Sequence, residues 1–270
     1  MKNTHLSRLL FVLMLCLSAV SVFAQPPAAD GYPNSTDEKG RKQGPWRKTN
    51  EKGIVQYVGQ FKDDKPVGKF TYYDAEGKTL RDMVFVNEHI TYVTLYWVNG
   101  KKQAEGKYVD QKKDSLWRFF DGNELVLSEE NYKAGKKEGN SVTYYPGTTQ
   151  IFEKKAFKND LQEGAWQEFY PNGDKKGEGT FVLGNPEGRA VWYYEGGRIS
   201  IMGNYKKGLK EGIWVYYTRD GKEKARQTWK DGNLQGQDIL IKPEELQKMG
   251  EEILNNGGGE PQPPNGPGGQ

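Results

Sequence analysis

A segment of about two dozen residues recurs along this chain from Gly44 to Gly236, and that period sharply limits the folds open to it. Anchor glycines stand at Gly44, Gly68, Gly139, Gly164, Gly188, Gly212 and Gly236. Their separations are 24, 71, 25, 24, 24 and 24 residues, and the 71 accommodates three periods with anchors near Tyr92 and at Ser115. A second ladder keeps the same register: Phe61, Phe85, Tyr108, Tyr132, Phe157, Phe181, Tyr205 and Trp229 are 23 to 25 residues apart. Two independent markers at one period predict eight stacked units rather than one globular core, since each unit buries its apolar face only on its neighbours.

Each unit reads as a β-hairpin. In the last full one, Gly212-Ile213-Trp214-Val215-Tyr216-Tyr217 is rich in the aromatic and β-branched residues that suit a pleated surface. Asp220-Gly221 follows as a turn signal, Lys222 to Trp229 reads as the return strand, and Lys230-Asp231-Gly232-Asn233 leads onward. Equivalent turns are expected at Glu76-Gly77, Asn99-Gly100, Asp121-Gly122, Asn172-Gly173 and Gly196-Gly197. The fold class is therefore all-β: tandem hairpins in an elongated, twisted antiparallel sheet, followed by a short C-terminal helix.

A glycine stands two residues before the closing aromatic in Gly59–Phe61, Gly106–Tyr108, Gly179–Phe181 and Gly203–Tyr205, hence on the same sheet face. The expectation is that it leaves room for a neighbouring ring to lie over the backbone. This matters because the chain is polar: 35% hydrophobic with a mean hydropathy of −0.88. Its 13% aromatic content must supply the packing, each ring pair adding about 0.5–1.5 kcal/mol beyond burial.

The segments Gly164-Ala165-Trp166-Gln167-Glu168-Phe169-Tyr170-Pro171-Asn172-Gly173 and Gly212-Ile213-Trp214-Val215-Tyr216-Tyr217 carry a grammar that resembles MORN repeats. The likeness is to the MORN-repeat variant family, whose bacterial members include the repeat proteins labelled YwqK-like antitoxins. It covers residues 44–236; the third unit, near Tyr92, and the fifth, with Ser141 in the Trp position, depart from it. The resemblance implies a β-hairpin array used for scaffolding or binding, without a shared chemistry.

The ends read differently. Residues 1–24 combine Lys2 and Arg8 with an apolar stretch from Leu9 to Phe23 and the closing Val22-Phe23-Ala24, the pattern of a signal peptide. Export to the periplasm, outer membrane or cell surface follows as an expectation. Leu13-Met14-Leu15 before Cys16 does not fit a lipidation site. Cleavage would remove the single Cys and leave 37 basic against 36 acidic residues, so stability would rest on repeat packing without disulfides. Residues 25–43 read as a flexible leader and 237–254 as a capping strand and helix, with Leu246, Met249, Ile253 and Leu254 on one helical face. Residues 255–270 read as a disordered Gly/Pro-rich tail.

Little in the sequence suggests catalysis. His89 is the only His after residue 24, which leaves no multi-His zinc site, and it has no nucleophile motif beside it. No cofactor or metal is expected, and charge balance gives no reason to expect nucleic acid. The aromatics are the candidate binding chemistry. They are first packing residues; the binding alternative is an exposed row comprising Tyr73, Tyr145, Tyr170, Tyr194 and Tyr217. The functional expectation is a non-enzymatic scaffold for a protein partner at the bacterial cell envelope, with glycan or peptidoglycan binding and membrane-surface binding as alternatives.

Overall fold

The computed structural model describes residues 31–242 together with Glu244 and Glu245. The expected signal peptide and tail, most of the C-terminal helix and the first part of the leader lie outside them. The described residues form 19 strands in one open antiparallel meander, each paired with the next along the chain except that the short Asn185–Pro186 and the following Gly188–Tyr193 both pair with Lys175–Val182. The tandem-hairpin architecture is as the period predicted.

The two kinds of turn fall where the sequence places them and differ in length. Two-residue turns lie between units, at Asp63-Asp64, Asp110-Gln111, Ala134-Gly135, Asn159-Asp160, Leu183-Gly184, Lys207-Gly208 and Asp231-Gly232. Both residues of each have positive φ, the conformation that matches the twist of the flanking strands. The Asp-Gly and Asn-Gly signals instead sit in longer loops inside each unit. There the first loop residue accepts from the backbone: Asp74 Oδ1 takes the amides of Glu76 and Lys78, and Asp121 Oδ1 those of Asn123 and Leu125.

Anchor glycines have a conformational task. Gly44, Gly68, Gly139, Gly164, Gly188 and Gly212 all have φ between 65° and 102°, and Ser115 takes 60° in their place. Apart from Gly44, which pairs with Phe61 in regular register, these residues sit at breaks in the register. Val58 faces Thr71 and Gln60 faces Val67, so Gly59 alone faces Gly68, Lys69 and Phe70. The extra residues swing the Phe70 ring over Gly59, where a Cβ would lie 2.3 Å from it. Gly106 under Trp117 and Gly203 under Trp214 repeat the arrangement, at 2.3 and 2.2 Å. Gly179 does not: it meets the Ala190 methyl at 3.4 Å, because Trp192 is displaced two residues along its strand and faces Gly177.

The rings then interlock edge to face. Phe61 meets Phe70 at 5.2 Å and Phe70 meets Phe85 at 5.3 Å. Tyr108 meets Trp117 at 5.0 Å, and Tyr205 meets Trp214 at 5.0 Å. Trp117 and Trp214 are 0% exposed. A cluster of Trp166, Ala190, Trp192, Ile201, Tyr205 and Trp214 forms the densest core, in the C-terminal half. Lysines cover it from the solvent side: Lys210 Nζ lies 4.4 Å from the Trp214 ring and 4.6 Å from Trp229. Burial lowers the Lys210 pKa.

The leader expectation fails for residues 35–43. Ser35–Thr36 pairs with the start of Lys42–Thr49, and the Trp46 indole donates to the Ser35 carbonyl at 3.1 Å. Asp37 organises this turn by accepting the amides of Lys39 and Arg41 and the Arg41 guanidinium. The Arg41 hydrogen bond holds the Asp37 carboxyl down at about 2. At the other end Asn233–Ile239 closes the array as an exposed strand. Gln227 takes the place of the ring-bearing glycine there, accepting from Tyr216 at 2.7 Å and Trp229 at 3.1 Å and donating to Gln237 at 3.1 Å. A polar network thus ends the aromatic ladder.

Candidate functional site: the irregular third repeat

The five tyrosines anticipated as one row occupy two positions. Tyr73 and Tyr217 close their strands at the last paired residue before the loop. Tyr145, Tyr170 and Tyr194 open it, at the position Asp74 holds in the second unit. All three spend their hydroxyls within the array: Tyr145 donates to the Phe169 carbonyl at 2.7 Å, Tyr170 to Tyr193 at 2.8 Å and Tyr194 to Tyr217 at 2.8 Å. They tie each unit to the next across 23 or 24 residues. In earlier units Asn50, Asp74 and Asp121 cap their own loop instead.

Tyr170→Phe should therefore cost about 1 kcal/mol, the net worth of one intramolecular hydrogen bond. Tyr73→Phe should cost nothing measurable, since its hydroxyl has no partner among the described residues. Urea midpoints of the two variants check this; equal midpoints would remove the inter-unit tie.

The third unit stands apart on both faces. Its entry strand, Ile90–Tyr96, pairs with Thr79–Phe85 in unbroken register, without a bulge or an anchor glycine. The residues a bulge would hold have moved into the preceding turn. Val86 and Asn87 amides both reach the Ile90 carbonyl, and Asn87 Oδ1 accepts the amides of His89 and Ile90. The ring that should lie between Phe85 and Tyr108 is replaced by Thr91, which faces both.

On the opposite face the same change leaves apolar side chains in solvent. Val84 faces Tyr92 across the strand pair, and Leu80 and Val86 alternate with them on that face. Tyr92 is 52% and Val86 58% exposed. Trp97 and Val98, in the loop that follows, are exposed too. Around this patch runs a polar row. Asp82 accepts from Thr71 at 2.7 Å and from Tyr96 at 3.0 Å, and pairs with Lys69 at 2.9 Å. Burial, then the Asp82 hydrogen bond, pushes the Tyr96 hydroxyl up to about 12. Further along, Arg118 pairs with Glu129 at 2.8 Å.

His89 lies in the long turn, exposed, with Nδ1 2.6 Å from Asp110 Oδ1, and that hydrogen bond raises its pKa. The pair holds neighbouring turns together. Among the described residues no group of three or more His, Cys, Asp or Glu could hold a metal ion.

Residues 162–182 and 186–207 match the MORN repeat variant family. Those two segments are similar to MORN-variant repeats. The matched pair are the units built around Trp166 and Trp192, whose side chains belong to the core cluster of the array. No curated protein matches the chain. A solved structure titled "Crystal Structure of TarM" aligns at 16% identity with a TM-score of 0.27. That overlap covers 37% of this chain and 21% of the other, so the chain spans about a fifth of the structure it matches. The irregular third unit is the one the sequence flagged by the missing anchor near Tyr92. Its exposed patch was not anticipated, because Met83-Val84-Phe85-Val86 is apolar at every position and only the strand pairing shows which side chains face solvent.

Proposed function

We propose that this protein is an exported, non-enzymatic scaffold that docks another protein at the bacterial cell envelope, with its third repeat as the main contact. MORN repeats are commonly protein or membrane interaction modules. The observation that carries the reading is the exposed Leu80, Val84, Val86 and Tyr92 patch. Exposed apolar side chains occur elsewhere in the array, Leu161, Leu209 and Ile213 among them, but here Val84 and Tyr92 face each other directly across one strand pair, with Leu80 and Val86 on the same face. Exposed apolar groups ringed by polar ones mark partner surfaces, and Tyr is enriched among interface anchors. The N-terminal pattern of Lys2, Arg8, the apolar stretch and Ala24 supports export. Tyrosine hydroxyls already bonded within the array give the glycan alternative less support, since three of the five expected tyrosines use them internally.

The test is affinity capture from native envelope extract, comparing the natural chain with a Val84→Ser/Tyr92→Ser double variant. A stoichiometric protein that survives glycan digestion and is lost with the variant is the expected outcome. Equal recovery by both proteins rejects the third repeat as the contact. Recovery that disappears on glycan digestion replaces the scaffold with a carbohydrate-binding module.

A further inference from the structure

The other face of the third repeat carries a pocket of about 570 Å³, in the range of about 300–1,000 Å³ common for small-ligand sites. It exists because of the missing ring. Phe85 and Tyr108 form its two aromatic sides with Thr91 between them, and Met83, two residues before Phe85, stands in the position that Gly106 and Gly203 hold in their units. At one end stands Arg81, which shares the face of Met83 and Phe85. Its guanidinium lies 4.5 Å from the Tyr72 ring. Its Nε is fully buried and has no hydrogen-bond acceptor, and the side chain makes no ion pair among the described residues.

The other charges at the pocket are neutralised in pairs. Lys65 bonds Glu88, and His89 bonds Asp110, both at the exposed rim. Arg81 is thus the cation without an ion-pair partner in a recess whose apolar part is Pro66, Met83, Phe85 and the Tyr108 ring. A guanidinium in a pocket wall with no ion-pair partner is the side chain best shaped to take a carboxylate.

We propose that this recess is a binding site for a carboxylate joined to an apolar body, with the carboxylate on Arg81 and the body between Phe85 and Tyr108. The chemistry has two sources: a free aryl or alkyl acid, and a peptide ending in an apolar residue with a free C-terminus. Neither depends on the patch on the opposite face, so this site stands or falls separately from the scaffold reading.

The probes are 3-phenylpropionate, its neutral analogue 3-phenylpropanol, the tripeptide Gly-Gly-Phe and the C-terminal amide of that tripeptide. Binding is followed by NMR, through the Arg81 Nε–H resonance and the Met83 methyl. At least one acid should shift both signals, and its neutral counterpart should bind at least about tenfold more weakly, since charge-assisted hydrogen bonds contribute that much or more. A response to the tripeptide alone identifies a partner's C-terminus; a response to phenylpropionate alone identifies a small acid. Arg81→Gln should weaken the acid at least about tenfold and leave the neutral probe unchanged. Thr91→Phe keeps Arg81 and fills the recess, so it should abolish binding while the melting temperature holds. Equal binding of acid and neutral probes, or no shift with either acid at millimolar concentration, overturns the site.

Discussion

Replacing Gly203 with Val is expected to lower the melting temperature by about 6–12 °C. A Cβ at this position would lie 2.2 Å from Trp214 Cδ2 and 2.4 Å from Cε2. Ring carbons cannot yield to that extent without moving the whole indole, which is held by its Nε1 hydrogen bond to the Asn204 carbonyl at 3.2 Å. It is also held by edge contact with Tyr205 and stacking on Trp192 at 5.8 Å. Overpacking of this kind costs about 1–3 kcal/mol and sometimes more, and about 1 kcal/mol moves the midpoint by 2–4 °C in a domain of this size. The upper part of the range applies because the bulge fixes the strand that carries the ring. Gly236→Val is the matched control. That glycine also lies in a strand, its φ is ordinary and nothing lies within 4 Å of a Cβ there. It should change stability by less than about 0.5 kcal/mol. Thermal unfolding of the two variants side by side checks the pair. A Gly203→Val protein as stable as the Gly236→Val one would mean the ring does not depend on the missing side chain.

The second large effect is expected from Trp214→Ala, at about 3–5 kcal/mol, the usual cost of truncating a buried large aromatic. Trp214 is 0% exposed and touches Tyr205, Trp192 and Lys210. Because each unit packs only on its neighbours, the loss should be local. Hydrogen exchange should rise in Gly188–Tyr193, Ile199–Lys206 and Glu223–Lys230 and remain unchanged in Val55–Lys62. The substitution also uncovers Lys210, whose pKa is depressed by burial between Trp214 and Trp229. That pKa should rise toward the ordinary lysine value, readable by NMR titration. A uniform rise in exchange over the whole array would instead indicate one cooperative unit.

Much of this was legible in the primary structure, and for a definite reason. A period of 24 residues repeated in two residue types leaves one solution, a meander of hairpins, because strand pairing between successive units needs no information beyond the period. Close approach of ring to glycine at Gly59, Gly106 and Gly203 was legible too, since residues two apart share a face. Gly179 broke the rule because Trp192 lies two residues further from its anchor than Trp214 does, and only the strand register shows which glycine it meets.

Other features could not be read in one dimension. The anchor glycines mark the period in the sequence, but that most of them take left-handed conformations where the register breaks is a property of strand pairing rather than of neighbouring side chains. The tyrosines of adjacent units look alike as letters; whether a hydroxyl reaches the next unit's carbonyl depends on one position along the turn. In the leader, Ser35 and Thr36 are ordinary polar residues, and they become a strand because Asp37 folds the chain back onto Lys42 and Gln43.

The sequence by itself determined the all-β repeat, its length of unit and its aromatic packing. Tertiary structure decided where that repeat is interrupted to useful effect. The third unit keeps nearly the same number of residues and moves them from a bulge to a turn, which leaves a recess beside Arg81 on one face and Val84 and Tyr92 in solvent on the other. Residue count is conserved along a chain, whereas the placement of a bulge is fixed only when two strands pair.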